Sequence, residues 1–124
     1  MFFSIARWDT SNVRYMNNMF RGATSFDKPL WLWDVSKVCD FSSMFRQAAV
    51  FNQDVNRWVT RSSINMSHMF EKATEFNRKV GKWDTSNVTD MEQMFYDAVS
   101  FDQHIGGWDT SNVTNMRELL YFCS

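Results

Sequence analysis

This chain has few of the residues that usually punctuate a compact domain: four glycines and one proline in 124 residues. Domains built from short strands and hairpins draw on both for their turns. Here asparagine, aspartate, serine and threonine must make them instead. Cysteine is scarce as well. Cys39 and Cys123 are too few for a disulfide framework and neither sits in a CxxC pair, so the redox compartment stays open. No apolar run approaches the roughly 20 residues needed to cross a bilayer. The opening MFFSIARW is too short for a secretory signal and Arg7 interrupts it, although a signal or anchor could lie on a longer parent chain. Neither sign of charge dominates. A net charge of −1 gives no overall pull toward anionic lipid or nucleic acid, and nucleic acid is disfavoured as a partner.

What is abundant is aromatic and sulfur-bearing: 12 Phe, 9 Met and 6 Trp, within a hydrophobic content of 44% that argues against disorder. The length fits one domain, 1–124. These residues recur on a fixed period. Trp8, Trp33, Trp58, Trp83 and Trp108 are each 25 residues apart. Phe26, Phe51, Phe76 and Phe101 keep the same step, as do Ala23, Ala48, Ala73 and Ala98. So do Leu30, Val55, Val80 and Ile105, which Ile5 extends backward. Met16, Met66, Met91 and Met116 form a further column, with Phe41 substituting in the second unit. Met-Phe pairs at 19–20, 44–45, 69–70 and 94–95 complete the set, and Leu119-Leu120 replaces the last. A period of this length marks a repeat array in which each unit stacks on its predecessor through matching apolar columns. Coils then start near each of the five tryptophans, with partial coils at both ends.

Within a unit, Val88, Met91, Met94, Phe95, Ala98 and Phe101 fall at i, i+3, i+6, i+7, i+10 and i+13. That spacing predicts a short helix with one apolar stripe. The preceding DTSN is a cluster of turn and cap formers. The following DQHIGGWD is too short for a second helix and reads as an extended stretch facing Ile105 and Trp108 inward. Stacked from coil to coil, such stretches would build a narrow parallel sheet. The expected class is thus an α/β repeat, a solenoid of about five 25-residue coils, each a strand-like segment plus a short helix.

The pattern W-D-x-S-x-V-x-x-M-x-x-M-F-x-x-A-x-x-F-x-x-x-[IVL] covers almost the whole chain. It resembles the leucine-rich-repeat variant of BspA-like surface proteins, closest to the subtype first catalogued as a domain of unknown function in mycoplasma-type surface lipoproteins. The resemblance implies a right-handed LRR-like solenoid on an extracellular or cell-surface protein, with adhesion or partner binding and no catalysis.

The third unit departs from the pattern. WVTRSSINM places Val59, Arg61 and Ser63 where other units have Asp, Ser and Val, with Ile64 one place later. Either its turn is reshaped, which the in-register Met66, Phe70, Ala73 and Phe76 favour, or Ile64 fills the buried slot through a bulge.

Catalytic and metal chemistry find little footing. Asp9, Asp34, Asp84 and Asp109 could form a carboxylate ladder for calcium, but Val59 interrupts it, which favours the capping of local turns as the role of each Asp. His68 and His104 lie at different positions of different units, with no Cys-His or Ser-His-Asp arrangement around them. No glycine-rich phosphate loop is present. No cofactor is expected and the protein is not expected to be an enzyme. Asn65, Asn87 and Asn112 lie in N-x-S/T sequons that this Asn/Ser/Thr-rich repeat generates on its own. Cys123 takes the Ala98 column as a small core residue, whereas Cys39 occupies a partly exposed slot. Each Trp is expected near the rim of the stack, where its indole N–H can find a partner.

Candidate contact residues are those that break the period. Trp31 and Leu32 are off-pattern apolar residues suited to an exposed contact patch or to covering the first coil. Arg57, Arg61, Lys72, Arg78, Lys79 and Lys82 crowd into little more than one unit, opposed only by Glu71 and Glu75. Arg57 and Lys82 hold equivalent positions and would stack. Such a patch suits a protein or an anionic glycan. Function is expected to be binding by a repeat module, with a spacer role in a longer array as the alternative. Met1 falls in the Phe26 column and Ser124 stops short of the next Phe, so apolar columns at the end faces suggest a fragment or end-to-end self-association.

Overall fold

The computed structural model describes residues 4–123. The expected alternation of strand and helix is overturned. Among the described residues the one helical element is a single 3₁₀ turn, Ile5–Arg7. β structure is confined to isolated parallel bridges linking Tyr15 to Asp40, Asp40 to Asn65, Asn65 to Asp90 and Asp90 to Asn115. No described helix is long and apolar enough to cross a membrane. The placement of Met1 and Ser124 lies outside the described residues.

What replaces the helix follows from where the backbone hydrogen bonds go. In the segment 66–73, every second N–H stays in its own coil: Met69 donates to Met66 O, Glu71 to His68 O and Ala73 to Phe70 O. The intervening N–H groups leave the coil: Met66 donates to Asp90 O, His68 to Glu92 O, Phe70 to Met94 O and Lys72 to Tyr96 O. The same alternation holds over 16–23, 41–48 and 91–98. An α-helix would commit every N–H to the carbonyl four residues back, leaving none for a neighbour. Here the segment is a run of i to i+3 turns whose alternate peptides bond along the stacking axis, as strands do.

Positive φ makes this possible. Asn18, Ser43, His68, Gln93 and Glu118 share one column with φ of 51 to 62°. Gly22, Gln47, Lys72, Asp97 and Phe122 share a second, with φ of 56 to 71°. Each is the third residue of a four-residue turn, and a positive φ there alone defines a type II turn. The central peptide of a type II turn is flipped. Its N–H therefore points toward the next coil and its C=O toward the previous one. Left-handed backbone costs a non-glycine residue about 1–2 kcal/mol, which the inter-coil bond at each flipped peptide offsets. Only one of these positions is glycine, so scarcity of glycine hid the turns.

Aromatic columns fill the space the turns enclose. Phe45, Phe70 and Phe95 stack at centroid spacings of 5.3 and 5.5 Å, and Phe51, Phe76 and Phe101 at 6.0 and 6.1 Å. Within a coil the two columns meet face to face, Phe70 on Phe76 at 4.0 Å. Leu30, Val55 and Val80, with Ala48, Ala73 and Ala98, are fully buried, as the period predicts. Burying one such phenylalanine contributes about 1.5–3 kcal/mol. Cys123, partly buried, packs against this core, and its thiol donates to Phe95 O across 3.0 Å; burial pushes that thiol up from its ordinary value.

The tryptophans lie deeper than expected. Trp33, Trp58 and Trp83 are buried, not at the rim. The demand for an indole partner is real, but the stack itself meets it. Trp33, Trp58, Trp83 and Trp108 each donate Nε1–H to the carbonyl of the aliphatic residue one coil earlier, Ile5, Leu30, Val55 and Val80, at 2.8 to 3.0 Å.

On the stretch expected to pair as strands, side chains do the coupling instead. Asn52 N donates to Asp27 Oδ1, Asn77 N to Asn52 Oδ1 and Asp102 N to Asn77 Oδ1, at 2.8 to 3.0 Å. The parallel bridges lie elsewhere, just after the TSNV phrase.

The TSNV phrase is itself structural. Asp9, Asp34, Asp84 and Asp109 each accept the N–H and hydroxyl of the serine two residues on, at 3.0 and 2.6 Å. Those bonds, the hydroxyl's above all, hold the four carboxyls below their ordinary value. Thr10, Thr60 and Thr85 donate their hydroxyls to the next coil's Asp34 O, Asp84 O and Asp109 O. Asn87 and Asn112 reach back to Arg61 O and Ser86 O. The third coil neither bulges nor reshapes its turn. Ser63 N donates to Thr60 O at 2.9 Å, as Val88 N does to Thr85 O, so Ser63 takes the buried valine slot and Ile64 is left half exposed. The inter-coil bonds of Thr60 and Ser62 hold the register despite Val59.

Candidate functional site: a basic cleft at the turn tips

Each coil has an outer corner where the chain reverses into its tryptophan. Trp33 N donates to Leu30 O, Trp58 N to Val55 O, Trp83 N to Val80 O and Trp108 N to Ile105 O. The two central residues of each turn project as its tip: Trp31-Leu32, Asn56-Arg57, Gly81-Lys82 and Gly106-Gly107. Because the turns close on buried residues, the tips are free to vary, and they do. Trp31 and Leu32 are exposed, as are Arg57 and Lys82.

Beside the middle tips runs a cleft of about 330 Å³. Asp54, Asn56 and Arg57 line it from the second coil, Asn77, Arg78, Lys79 and Lys82 from the third, and Gln103 from the fourth. A hollow of about 210 Å³ shares Asn56, Lys79, Lys82 and Gln103 and carries the lining on to Gly81 and His104. Four cations thus converge where Asp54 is the one carboxylate of the lining, and that carboxylate already accepts Asn56 N at 2.9 Å. The low-dielectric wall behind the cations focuses their field on whatever occupies the cleft. Arg78 is anchored, its Nε–H donating to Asn52 O across 2.8 Å. Gln103 is braced by Asn77, through its O at 3.0 Å and its Oδ1 at 2.9 Å.

Not every basic residue of the sequence cluster joins this site. Arg57, Arg78, Lys79 and Lys82 do; Lys72 is absent from the lining. Arg61 lies in the TSNV segment, in a separate open depression with Ser62, Ile64, Asn87 and Thr89. Trp31 and Leu32 hold the tip position one coil before Arg57. The sequence reading missed Asn56, Asn77, Gln103 and His104, though the period contained the signal: Gln103 is 25 residues from Arg78, and His104 is 25 from Lys79.

Two stretches, residues 2–78 and 57–124, match the family described as "Mycoplasma protein of unknown function, DUF285". The chain belongs to this family. No curated protein matches the chain, and no solved structure does. For this DUF285 member the match covers the repeat itself, including every coil that lines the cleft, and it carries no activity with it.

A second polar cluster was also overlooked. Glu71, buried, pairs with Arg46 of the previous coil and accepts His68 Nδ1–H at 3.0 Å; the far nitrogen, His68 Nε2, lies 3.9 Å from Glu92 Oε2. Arg117 of the fifth coil then meets Glu92 at 3.5 Å. This chain of polar side chains ties four coils together and lies on the turn wall, away from the cleft lining. Among the described residues no three His, Cys, Asp or Glu side chains are placed to hold a metal ion.

Proposed function

We propose that this chain is a non-enzymatic binding module of a surface or secreted protein, engaging a protein or an anionic glycan through the basic cleft and the tips beside it. One observation carries the reading: residues that keep the apolar columns are consumed by the stack, while Arg57, Arg78, Lys79 and Lys82 gather in one cleft. A pure spacer has no need of such a gathering, since surface cations dispersed over the coils would serve solubility equally well. Kinship with BspA-like surface proteins, suggested by the WDTSNV…MF signature, supports a cell-surface or extracellular setting.

The test is an array of extracellular proteins and glycans probed with the wild-type chain and with Lys79→Glu/Lys82→Glu. Neither ammonium makes a hydrogen bond within the described structure, so this variant keeps the wild-type melting temperature. A ligand that the wild type retains and the variant loses supports the module. Identical or blank arrays return the chain to a spacer role.

A further inference from the structure

Resting on the binding-module reading, we propose that the occupant of the cleft is a linear sulfated glycan. It lies along the stacking axis, pairing its sulfates with Arg57, Arg78, Lys79 and Lys82 and seating one sugar ring against Trp31.

The shape of the cleft argues for a chain and not a single ion. Its lining comes from three successive coils, and the adjoining hollow draws on the same three. Arg57 and Lys82 hold the same position in neighbouring coils, so their separation follows the coil step. Equivalent rings in successive coils lie 5.3 Å apart for Phe45–Phe70 and 6.2 Å for Trp58–Trp83. This is comparable to the length one pyranose adds to its chain. Anionic groups repeating along a polysaccharide therefore meet Arg57 and Lys82 one coil apart along the stack.

The polar lining suits sugars. Asn56 uses its Oδ1 to accept Lys82 N, and Asn77 uses its Oδ1 for Asp102 N and Gln103. Their Nδ2 groups make no bond to the described protein, which leaves donors for sulfate oxygens and ring hydroxyls. Trp31 is 48% exposed, one coil step from Asn56, and offers a flat apolar face of the kind that packs against the C–H face of a sugar.

Competing polymers fit less well. An acidic peptide gains most by adding a strand to an open backbone edge, but the donors at Asn52, Asn77 and Asp102 are already spent on the side-chain ladder. Single-stranded nucleic acid calls for aromatic platforms interleaved with cations on a basic domain. Here Trp31 stands alone beside the row, and the sequence pI is about 6.1.

Isothermal titration settles the matter with four probes: a heparin-derived octasaccharide, its desulfated counterpart, inorganic sulfate and oligo-dT. The expected result is saturable octasaccharide binding that weakens with added salt and is absent for the desulfated form. Lys79→Glu/Lys82→Glu weakens it by about tenfold or more. Trp31→Ala weakens the octasaccharide alone, and Arg14→Glu, outside the cleft, changes nothing. No saturable binding, an equal loss in Arg14→Glu, inorganic sulfate binding as tightly as the octasaccharide, or tighter oligo-dT overturns the proposal. A protein ligand on the arrays that Lys79→Glu/Lys82→Glu abolishes, with the octasaccharide inert, removes the glycan but leaves the module. Blank arrays together with an inert octasaccharide remove both.

Discussion

The indole N–H of Trp83 donates to the carbonyl oxygen of Val55 across 2.8 Å, joining two buried residues 28 positions apart. Trp33, Trp58 and Trp108 repeat the bond. The tryptophan column is thus both an apolar stack and a series of polar rivets, and the two roles can be separated by mutation.

Trp83→Phe keeps an aromatic ring in the column but removes one of the two donors to Val55 O, which keeps Trp58 N. The expected loss is about 0.5–1.5 kcal/mol from the missing hydrogen bond, with lost indole area added. Trp8→Phe is the control. Trp8 is 54% exposed and stacks on Trp33 at 6.3 Å, so its replacement costs far less. Denaturant unfolding of the two variants measures the difference.

Ser63 puts a hydroxyl into an apolar slot of the third coil. Its hydroxyl is buried with no hydrogen-bond partner, in a slot that Val13, Val38, Val88 and Val113 fill elsewhere. Ser63→Val removes an unsatisfied group and restores apolar contact, so a gain of about 1–2 kcal/mol is expected. The reciprocal Val88→Ser loses at least as much. Equal midpoints for wild type and Ser63→Val in a urea titration refute the assignment.

Lys72 tests the left-handed column. Its φ is 59°, its side chain is exposed, and its N–H donates to Tyr96 O at 2.8 Å. Lys72→Gly relieves left-handed strain but adds freedom to the unfolded chain, for a net gain of up to about 1 kcal/mol. Lys72→Val places a β-branched residue at positive φ and destabilises. A thermal melt that ranks valine above lysine contradicts the type II geometry.

The Asp–Ser turns give a pH dependence with a definite sign. The carboxyls of Asp9, Asp34, Asp84 and Asp109 titrate below their ordinary 3.8 in the folded chain, because serine hydroxyls and N–H groups bond the ionised form. A depressed folded pKa stabilises above the unfolded value and is lost as pH falls through the folded one. Asp34→Asn/Asp84→Asn keeps an oxygen acceptor but no titrating charge. The melting temperature of wild type over this variant should therefore shrink as pH drops below 3.8. A constant difference removes the linkage.

Much of this architecture was legible in the order of residues. The period of 25, the buried Phe, Ala and aliphatic columns and the local role of the Asp-Ser pairs all follow from which side chains recur. Burial and short-range turn chemistry are properties of a residue and its near neighbours, so a repeated pattern exposes them. The wall between Met66 and Ala73 was not legible. Apolar residues about three apart satisfy a helix and a run of turns alike, and the choice rests on where Phe70 N finds its acceptor. That acceptor is Met94 O, 24 residues away. The same holds for the cleft. Arg57, Arg78 and Lys82 were visible as a basic cluster, but Arg61 left it and Gln103 and His104 entered it once the coils were stacked. Sequence determined what each coil would bury. Only the tertiary structure decided how the backbone would turn and which tips would meet, because both depend on hydrogen bonds and neighbours that exist only between coils.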